Sequence, residues 1–295
     1  MRAEFVIVGG GIYGVATAWE LARRGYEVLV LEARDIAAGA SGGVGKRGVR
    51  ANGRDLRELP LMRLAYDRWP RLDVELDAVT GYERTGHLQL YERHDNGPAA
   101  VRARVQSAMG IPTVHLEGAR VRDVEPGLGR AVLGGLHAPL DGVADHEATT
   151  RAFARAAERA GATIRTGATV VGVTHRHGVA REVRLAEGSS VEVGRGLLLL
   201  ANAGIADLAE RDLACQLPVW TIYPQVVVST PAARTPFCSL IGHMHRPVAL
   251  KMIPGGAVML SGGWRGRMDL AQGAPCGKAE VVEHAGHRAG GAVSA

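Results

Sequence analysis

A chain of 295 residues, 46% of them hydrophobic, suffices for one large domain or about two ordinary ones, with enough apolar side chain for a sizeable core. Its net charge of +5 is carried by arginines spread along the chain, since lysine occurs only at Lys46, Lys251 and Lys278. With aromatics at 4%, neither the basic face nor the stacking rings of a nucleic-acid binder are visible, and no apolar run approaches the ~20 residues of a membrane span.

The first strand is entered by Phe5, which leaves no room for a signal peptide, so a cytoplasmic location is expected. Phe5-Val6-Ile7-Val8 reads as a buried parallel strand, and GGGIYG (9–14) follows it directly. Residues 15–24 read as a helix ended by Gly25, and Tyr26–Leu31 as the next strand, with Glu32 at its tip. Each part has a task in dinucleotide binding. Gly9 permits the tight turn, Gly11 lets backbone approach a pyrophosphate, and Gly14 lets helix and strand pack closely. The helix N-terminus offers free N–H groups and a positive dipole end to the phosphates. Glu32 can accept from ribose hydroxyls, which disfavours NADP. NAD and FAD both remain open on these residues.

Residues 33–55 hold too many glycines for a helix or strand and read as a long loop; its position after Glu32 favours a functional one. A helix is expected over Leu56–Trp69, stopped or bent by Pro70, then a strand over Thr85–Tyr91 and a helix over 98–109. RVRDVEPG (120–127) reads as a short turn, Gly134–Ala138 as a strand, and 139–142 as a turn. A helix over 146–160 ends at Gly161, with acids of Asp145-His146-Glu147 near its N-terminal dipole. Short strands follow at 162–165 and 168–173, then a hairpin of Glu182–Leu185 and Val191–Val193. An apolar run at Leu197–Leu200 leads into ANAG. Further strands lie in 219–229 and in 248–260, the latter joined at Pro254-Gly255-Gly256; a helix could start in 279–289. The alternation of strands and helices at the start and again over 146–204, with strand-rich pieces elsewhere, implies an α/β protein in which a discontinuous dinucleotide domain is interleaved with a sheet-based one.

Cys215, Cys238 and Cys276 are odd in number and widely spaced, so neither a disulfide framework nor a zinc site is suggested, and buried free thiols are expected. His175/His177 and His243/His245 have the HxH spacing that places two rings on one strand face, but no third ligand is evident and no metal is expected. Trp220 and Tyr223 suit either a substrate pocket or ordinary packing.

Several segments together resemble the FAD-dependent D-amino-acid oxidase, glycine oxidase and sarcosine oxidase (DAO) superfamily. VIVGGGIYG with Glu32 is similar to its FAD fingerprint, and ASGGVGKRGVR (40–50) to the stretch that threads past pyrophosphate and flavin. YERTGHLQLY, GGLHAPLDGVADHEATTRAFARAAERAGATI, GATVVGV, LLLLANAG and ALKMIPGGAVMLSGGW resemble later family segments in the same order, over about residues 3–267. The resemblance favours FAD. It implies a Rossmann-like FAD-binding domain over 1–75 and 140–215, an α+β substrate domain over 76–139 and 216–267, and an incomplete tail over 268–295. Carried over residue by residue, it implies cofactor contacts from Gly9, Gly11, Ile12, Tyr13, Gly14, Glu32, Ala33 and Arg34, and from Ser41, Gly42, Gly43, Lys46 and Arg47. It adds Val170 at the adenine and Ala203 and Gly204 at a second phosphate-side turn. Arg47 and Arg50 match a pair of flavin-proximal arginines and are the implied catalytic residues, able to hold a carboxylate bidentately.

The implied reaction oxidises the C–N bond of a small amino acid or secondary amine by hydride transfer to flavin N5, giving an imine that hydrolyses. The electron acceptor is oxygen or a dye- or quinone-type molecule. Some oxidases of the family place a lysine beside the flavin. The best register puts Met259 there, with Lys251 along the same hairpin, which favours a dehydrogenase. His287 in AGHRAGG reads as a chance likeness to the family's last flavin-side turn, so a truncated or partner-dependent non-catalytic FAD-fold protein is one alternative. An NAD-dependent Rossmann oxidoreductase is the other, disfavoured by the long loop after Glu32.

Overall fold

The computed structural model describes residues 1–39, 45–91, 96–219, 221–231, 237–269, 271 and 274–276. In chain order the elements begin with β1 (Arg2–Val8), α1 (Ile12–Ala22), β2 (Val28–Leu31), β3 (Lys46–Val49), α2 (Leu59–Arg68), α3 (Leu72–Glu75), β4 (His87–Tyr91) and α4 (Asn96–Ala108). They continue with β5 (Val114–Glu117), α5 (Val121–Val124), β6 (Gly134–Ala138), β7 (Gly142–Asp145), α6 (His146–Arg159), β8 (Thr163–Arg165), β9 (Val170–Arg176), β10 (Val179–Leu185) and β11 (Ser190–Leu199). The last are α7 (Ile205–Leu213), β12 (Pro224–Val228), β13 (Leu240–His243), β14 (Ala249–Met252), β15 (Val258–Arg265), β16 (Arg267–Asp269) and β17 (Ala274–Cys276). The residues 279–289, His287 and Trp220 lie outside the described residues.

The chain falls into two compact units, Met1–Ser41 with Leu72–Thr80 and His146–Thr221, and Gly42–Arg71 with Gly81–Asp145 and Ile222–Ala295. These exchange points differ from the domain limits expected from the sequence. No helix among the described residues is long and apolar enough to cross a membrane.

The first unit is built on a six-stranded sheet of order β8-β2-β1-β11-β10-β9. Its strands β8, β2, β1 and β11 run parallel, and β11, β10 and β9 are antiparallel. The inner strands β1 and β2 read as near-continuous apolar runs because both faces are covered, with Val6, Ile7 and Val28–Leu31 all buried. α1 and α6 pack together, with Ala18 and Ala22 on one helix and Ala152, Ala156 and Ala157 on the other buried, and with Trp19 and Phe153 edge to face at 5.5 Å. The hairpin strand and the apolar run before ANAG are one strand, β11. Gly194 and Gly196 interrupt its pattern because neighbouring β1 approaches closely: a Cβ at Gly194 would stand 3.1 Å from the Ala3 carbonyl oxygen, and one at Gly196 3.0 Å from the Phe5 ring.

The second unit holds a seven-stranded sheet of order β12-β15-β14-β13-β4-β6-β5, antiparallel except for the β13–β4 pair. Its core gathers Leu88, Leu90, Leu116, Val121, Leu128, Phe237, Ile241 and Leu250. A second cluster of Leu59, Tyr66 and Ile111 lies under α2. The loop expected over 33–55 is corrected in part: Lys46–Val49 form β3, paired antiparallel with β7 (Lys46 opposite Asp145, Val49 opposite Gly142). The partner strand satisfies the backbone that glycine content argued against. The turn expected at 120–127 contains the helical residues of α5.

Leu88 is fully buried in the second sheet, whereas Val101 on α4 is 57% exposed. Leu88→Ala should cost about 2–5 kcal/mol in urea unfolding, and Val101→Ala should stay within about 0.5 kcal/mol.

Candidate functional site

In the first unit, β1 is flanked by β2 on one side and β11 on the other, both parallel to it, so the strand order switches sides at β1. The carboxyl ends of strands at such a switch point are where open α/β sheets bind ligands. GGGIYG leaves β1 there. Gly9 takes φ +114°, and a Cβ on it would stand 2.7 Å from the Leu200 carbonyl oxygen. A Cβ on Gly14 would stand 1.8 Å from the Gly9 carbonyl oxygen, so only glycine lets α1 start this close to the strand. Gly11 caps α1 in an extended conformation with no side-chain cap bond, and the space beside its Cα is open. Ile12 and Tyr13 are exposed and the first turn carries no acid, which leaves N–H groups and the dipole's positive end for an anion.

Glu32 ties this end of the sheet together. Its Oε2 accepts from Gly10 N at 2.6 Å and its Oε1 from Arg34 N at 2.8 Å. Its backbone N donates to the Arg165 carbonyl at 2.9 Å, and its carbonyl accepts from Ala168 N at 2.8 Å. The carboxylate expected to serve a ribose thus also holds the glycine loop, through a contact with Gly10 that sequence reasoning missed. Each oxygen keeps a second lone pair, so acceptor capacity for hydroxyls remains. Ala33 and Arg34 are exposed beside it. Val170 opens β9 two residues beyond Ala168, and Ala203 and Gly204 lie in the Asn202–Gly204 turn after β11. Gly9, Gly11, Ile12, Tyr13, Gly14, Glu32, Ala33 and Arg34 therefore gather at the carboxyl ends of β1 and β2, Ala203 and Gly204 follow the carboxyl end of β11 beside β1, and Val170 is tied to Glu32 through Ala168. Ser41, Gly42 and Gly43 lie outside the described residues. A close glycine-lined approach, an uncapped helix start and an acid at the second strand's tip together fit the adenylate and pyrophosphate of a dinucleotide. Gly14→Ala should abolish FAD retention on gel filtration, while Tyr13→Phe should leave it within about twofold, since that ring is exposed.

The second unit carries a cluster of cations. The Lys46 ammonium stands 2.5 Å from Glu83, and Lys251 Nζ donates to the Lys46 carbonyl. Arg47 Nη1 donates to the Gly45 and Lys46 carbonyls, both at 3.2 Å, and lies 3.8 Å from Met259 Sδ. Lys251 and Met259 are direct cross-strand partners on β14 and β15, so they project from the same face. Met259 and Lys251 thus occupy facing places in one ladder. Lys46, Glu83, Thr85, Cys238, Ser239 and Lys251 line a cavity of about 260 Å³.

Burial pushes the Lys251 ammonium down to about 8, with Arg47's charge acting in the same direction. Burial also lowers Arg47, opposed by Asp145, and lowers Arg50, with Arg54 adding to the shift and Asp141 opposing it. Arg50 stands just after β3 and donates to the Asn52 carbonyl at 2.8 Å. The two arginines thus have separate partners. Removing the Arg47 charge takes away one of the two causes that disfavour the Lys251 ammonium. Arg47→Met should therefore raise the pH at which Lys251 becomes half-reactive to acetic anhydride from about 8 toward its ordinary 10.5, read by peptide mass spectrometry.

Other residues take structural places. Cys215 and Cys238 are exposed, not buried as expected: Cys215 follows the left-handed Ala214 that ends α7, and Cys238 lies in a segment whose backbone is held by Glu125. His175 and His177 are exposed, and His177 takes φ +51° in the β9–β10 turn. His243 Nδ1 accepts from the His245 and Arg246 backbone N–H groups at 3.1 Å, which makes it a turn brace. Tyr223 is half-buried and its carbonyl accepts from Gly266 N.

Residues 4–281 match the family described as FAD dependent oxidoreductase, DAO. The chain belongs to this family, whose cofactor is FAD. It is 33% identical over 186 residues to the bifunctional protein ThiO/ThiG of Nostoc sp., an alignment covering 60% of this chain and 28% of that protein's length. It is 26% identical over 306 residues to the D-amino acid dehydrogenase of Methylobacterium radiotolerans, covering 82% of this chain and 71% of the other. Its fold matches that of L-proline dehydrogenase from P. horikoshii with a TM-score of 0.85 at 24% identity, over 99% of this chain and 77% of the other.

Proposed function

We propose that the protein is an FAD-dependent oxidoreductase that oxidises the C–N bond of a small amino acid or secondary amine. The observation that carries this reading is the convergence of the glycine loop, Glu32 and the Asn202–Gly204 turn at the switch point of a sheet whose chain belongs to an FAD-dependent family. The name of the Methylobacterium relative supports an amino-acid substrate.

When bound, FAD would supply the acceptor for the hydride, the two electrons and hydrogen of the Cα–H bond, as the substrate's C–N bond becomes C=N. Gly9, Gly11, Ile12, Tyr13, Gly14, Glu32, Ala33, Arg34, Val170, Ala203 and Gly204 are the residues proposed to hold it, with Ser41–Gly43, Lys46 and Arg47 assigned by family resemblance. Arg47 and Arg50 orient the substrate: a guanidinium fork suits a carboxylate and keeps its charge despite burial. Lys251 Nζ, at about 8, is the group suited to take the proton that an amino acid's ammonium loses before its C–N bond is oxidised.

The test is an anaerobic panel of glycine, sarcosine, D- and L-alanine and proline added to the FAD-loaded protein, with loss of visible flavin absorbance as the readout. Oxygen and a dye acceptor are then compared for reoxidation. Bleaching by an amino acid, weakened by Arg50→Lys mainly through KM, is the expected outcome. An FAD-loaded protein bleached by dithionite but by none of these amines would contradict the proposed substrate class.

A further inference from the structure

Behind β3 lies a polar core that the cofactor and substrate assignments do not use. Asp141 is fully buried. Its Oδ1 accepts from Ala51 N at 2.7 Å and from the Tyr66 hydroxyl at 2.5 Å, and its Oδ2 accepts from Asn52 N at 3.0 Å. Its backbone belongs to the turn between β6 and β7, and its carbonyl accepts from Gly86 N at 2.8 Å, just before β4. His87 Nδ1 stands 3.5 Å from Oδ2, but burial keeps that ring toward its neutral form. Burial and the neighbouring carboxylate push the Tyr66 phenol well above its usual value, so it stays a donor. Three donors on one buried side chain call for the acceptor-only carboxylate, since a carboxamide oxygen offers half the acceptor sites.

The clamp ends at Arg50. The Asn52 carbonyl accepts from Arg50 Nη1 at 2.8 Å, and the Arg50 carbonyl accepts from Arg54 Nε at 2.7 Å. The Asn52 side chain in turn donates to the His87 and Leu136 carbonyls at 3.2 and 2.7 Å, so this residue is bolted to β4 and β6. A flexible guanidinium held by one carbonyl is only as fixed as that carbonyl. The carbonyl belongs to the segment whose N–H groups Asp141 holds.

We propose that Asp141 is a positioning residue: its carboxylate fixes the 51–52 backbone and thereby sets the place of the Arg50 guanidinium for a substrate carboxylate. The proposal rests on the substrate role given to Arg50 above. It assigns a function to the buried acid of the HAPLDGVAD segment.

The experiment is Asp141→Asn in the full-length FAD-loaded protein. Amide exchange of peptides covering 50–54 and phenylglyoxal labelling of Arg50 are read by mass spectrometry, beside steady-state kinetics on the best amino-acid substrate. Exchange and labelling are expected to quicken by about tenfold or more, and KM to rise about tenfold with a smaller change in kcat. Arg50→Lys should shift KM in the same direction. Exchange and labelling at the wild-type rates would overturn the proposal, as would an unchanged KM in a variant whose Arg50→Lys counterpart raises it. If Asp141→Asn does not fold, Tyr66→Phe removes one of the three hydrogen bonds and keeps the ring. It should give smaller changes of the same sign, and wild-type values in all three readouts would again overturn the proposal. If the wild-type protein turns over no amine, the functional reading fails on that result, and the positioning claim is decided by exchange and labelling alone.

Discussion

The approach of Gly14 to the Gly9 carbonyl is the constraint on which the first unit depends. A Cβ at Gly14 would overlap that oxygen, so any other residue would force α1 away from the end of β1. The displacement would carry Gly10 with it and break the 2.6 Å bond to Glu32. A charge-assisted hydrogen bond of this kind contributes about 1.5–3 kcal/mol. Here it also joins the glycine loop to the tip of β2, and backbone bonds from Glu32 extend the tie to Arg165 and Ala168. The same few atoms thus shape the helix start and the sheet's carboxyl edge, where the FAD site is proposed.

The second unit solves a different problem. Its short strand β3 presents Lys46 and Arg47 from a segment with little side-chain support of its own, and long-range partners hold it on both sides. β7 supplies the ladder, Lys251 reaches the Lys46 carbonyl from β14, and Asp141 anchors the residues that follow. Placing several cations near one another is unfavourable by charge alone. The arrangement is offset by Glu83 at Lys46 and Asp145 near Arg47, and by the lowered proton affinity of Lys251.

Much of the first unit was legible because its signals are local. The run before GGGIYG, the glycine spacing and Glu32 all lie within one βαβ unit, and α6 announces itself by its small apolar face and by Gly161. The rest depended on distant partners. KRGV has no alternating pattern and contains a glycine, so β3 exists only because β7 pairs with it. β11 looked like two pieces because the glycines that let it lie against β1 also erase its periodicity. The nearness of Arg47 to Met259, and of Lys251 to Lys46, is set by the register of β14 on β15 and by β3, which no local pattern encodes. Asp141 reads as a turn residue in Pro139-Leu140-Asp141-Gly142, and only the fold shows three donors converging on it.

If the first unit's glycine loop and Glu32 form an FAD site, calorimetric titration of the purified, flavin-stripped protein with FAD, FMN, NAD and NADP in parallel will show it. Saturable binding of FAD, with ADP competing and FMN, NAD and NADP much weaker, is the result predicted. Binding of NAD in preference to FAD, or no heat with FAD for protein that remains folded, would contradict it.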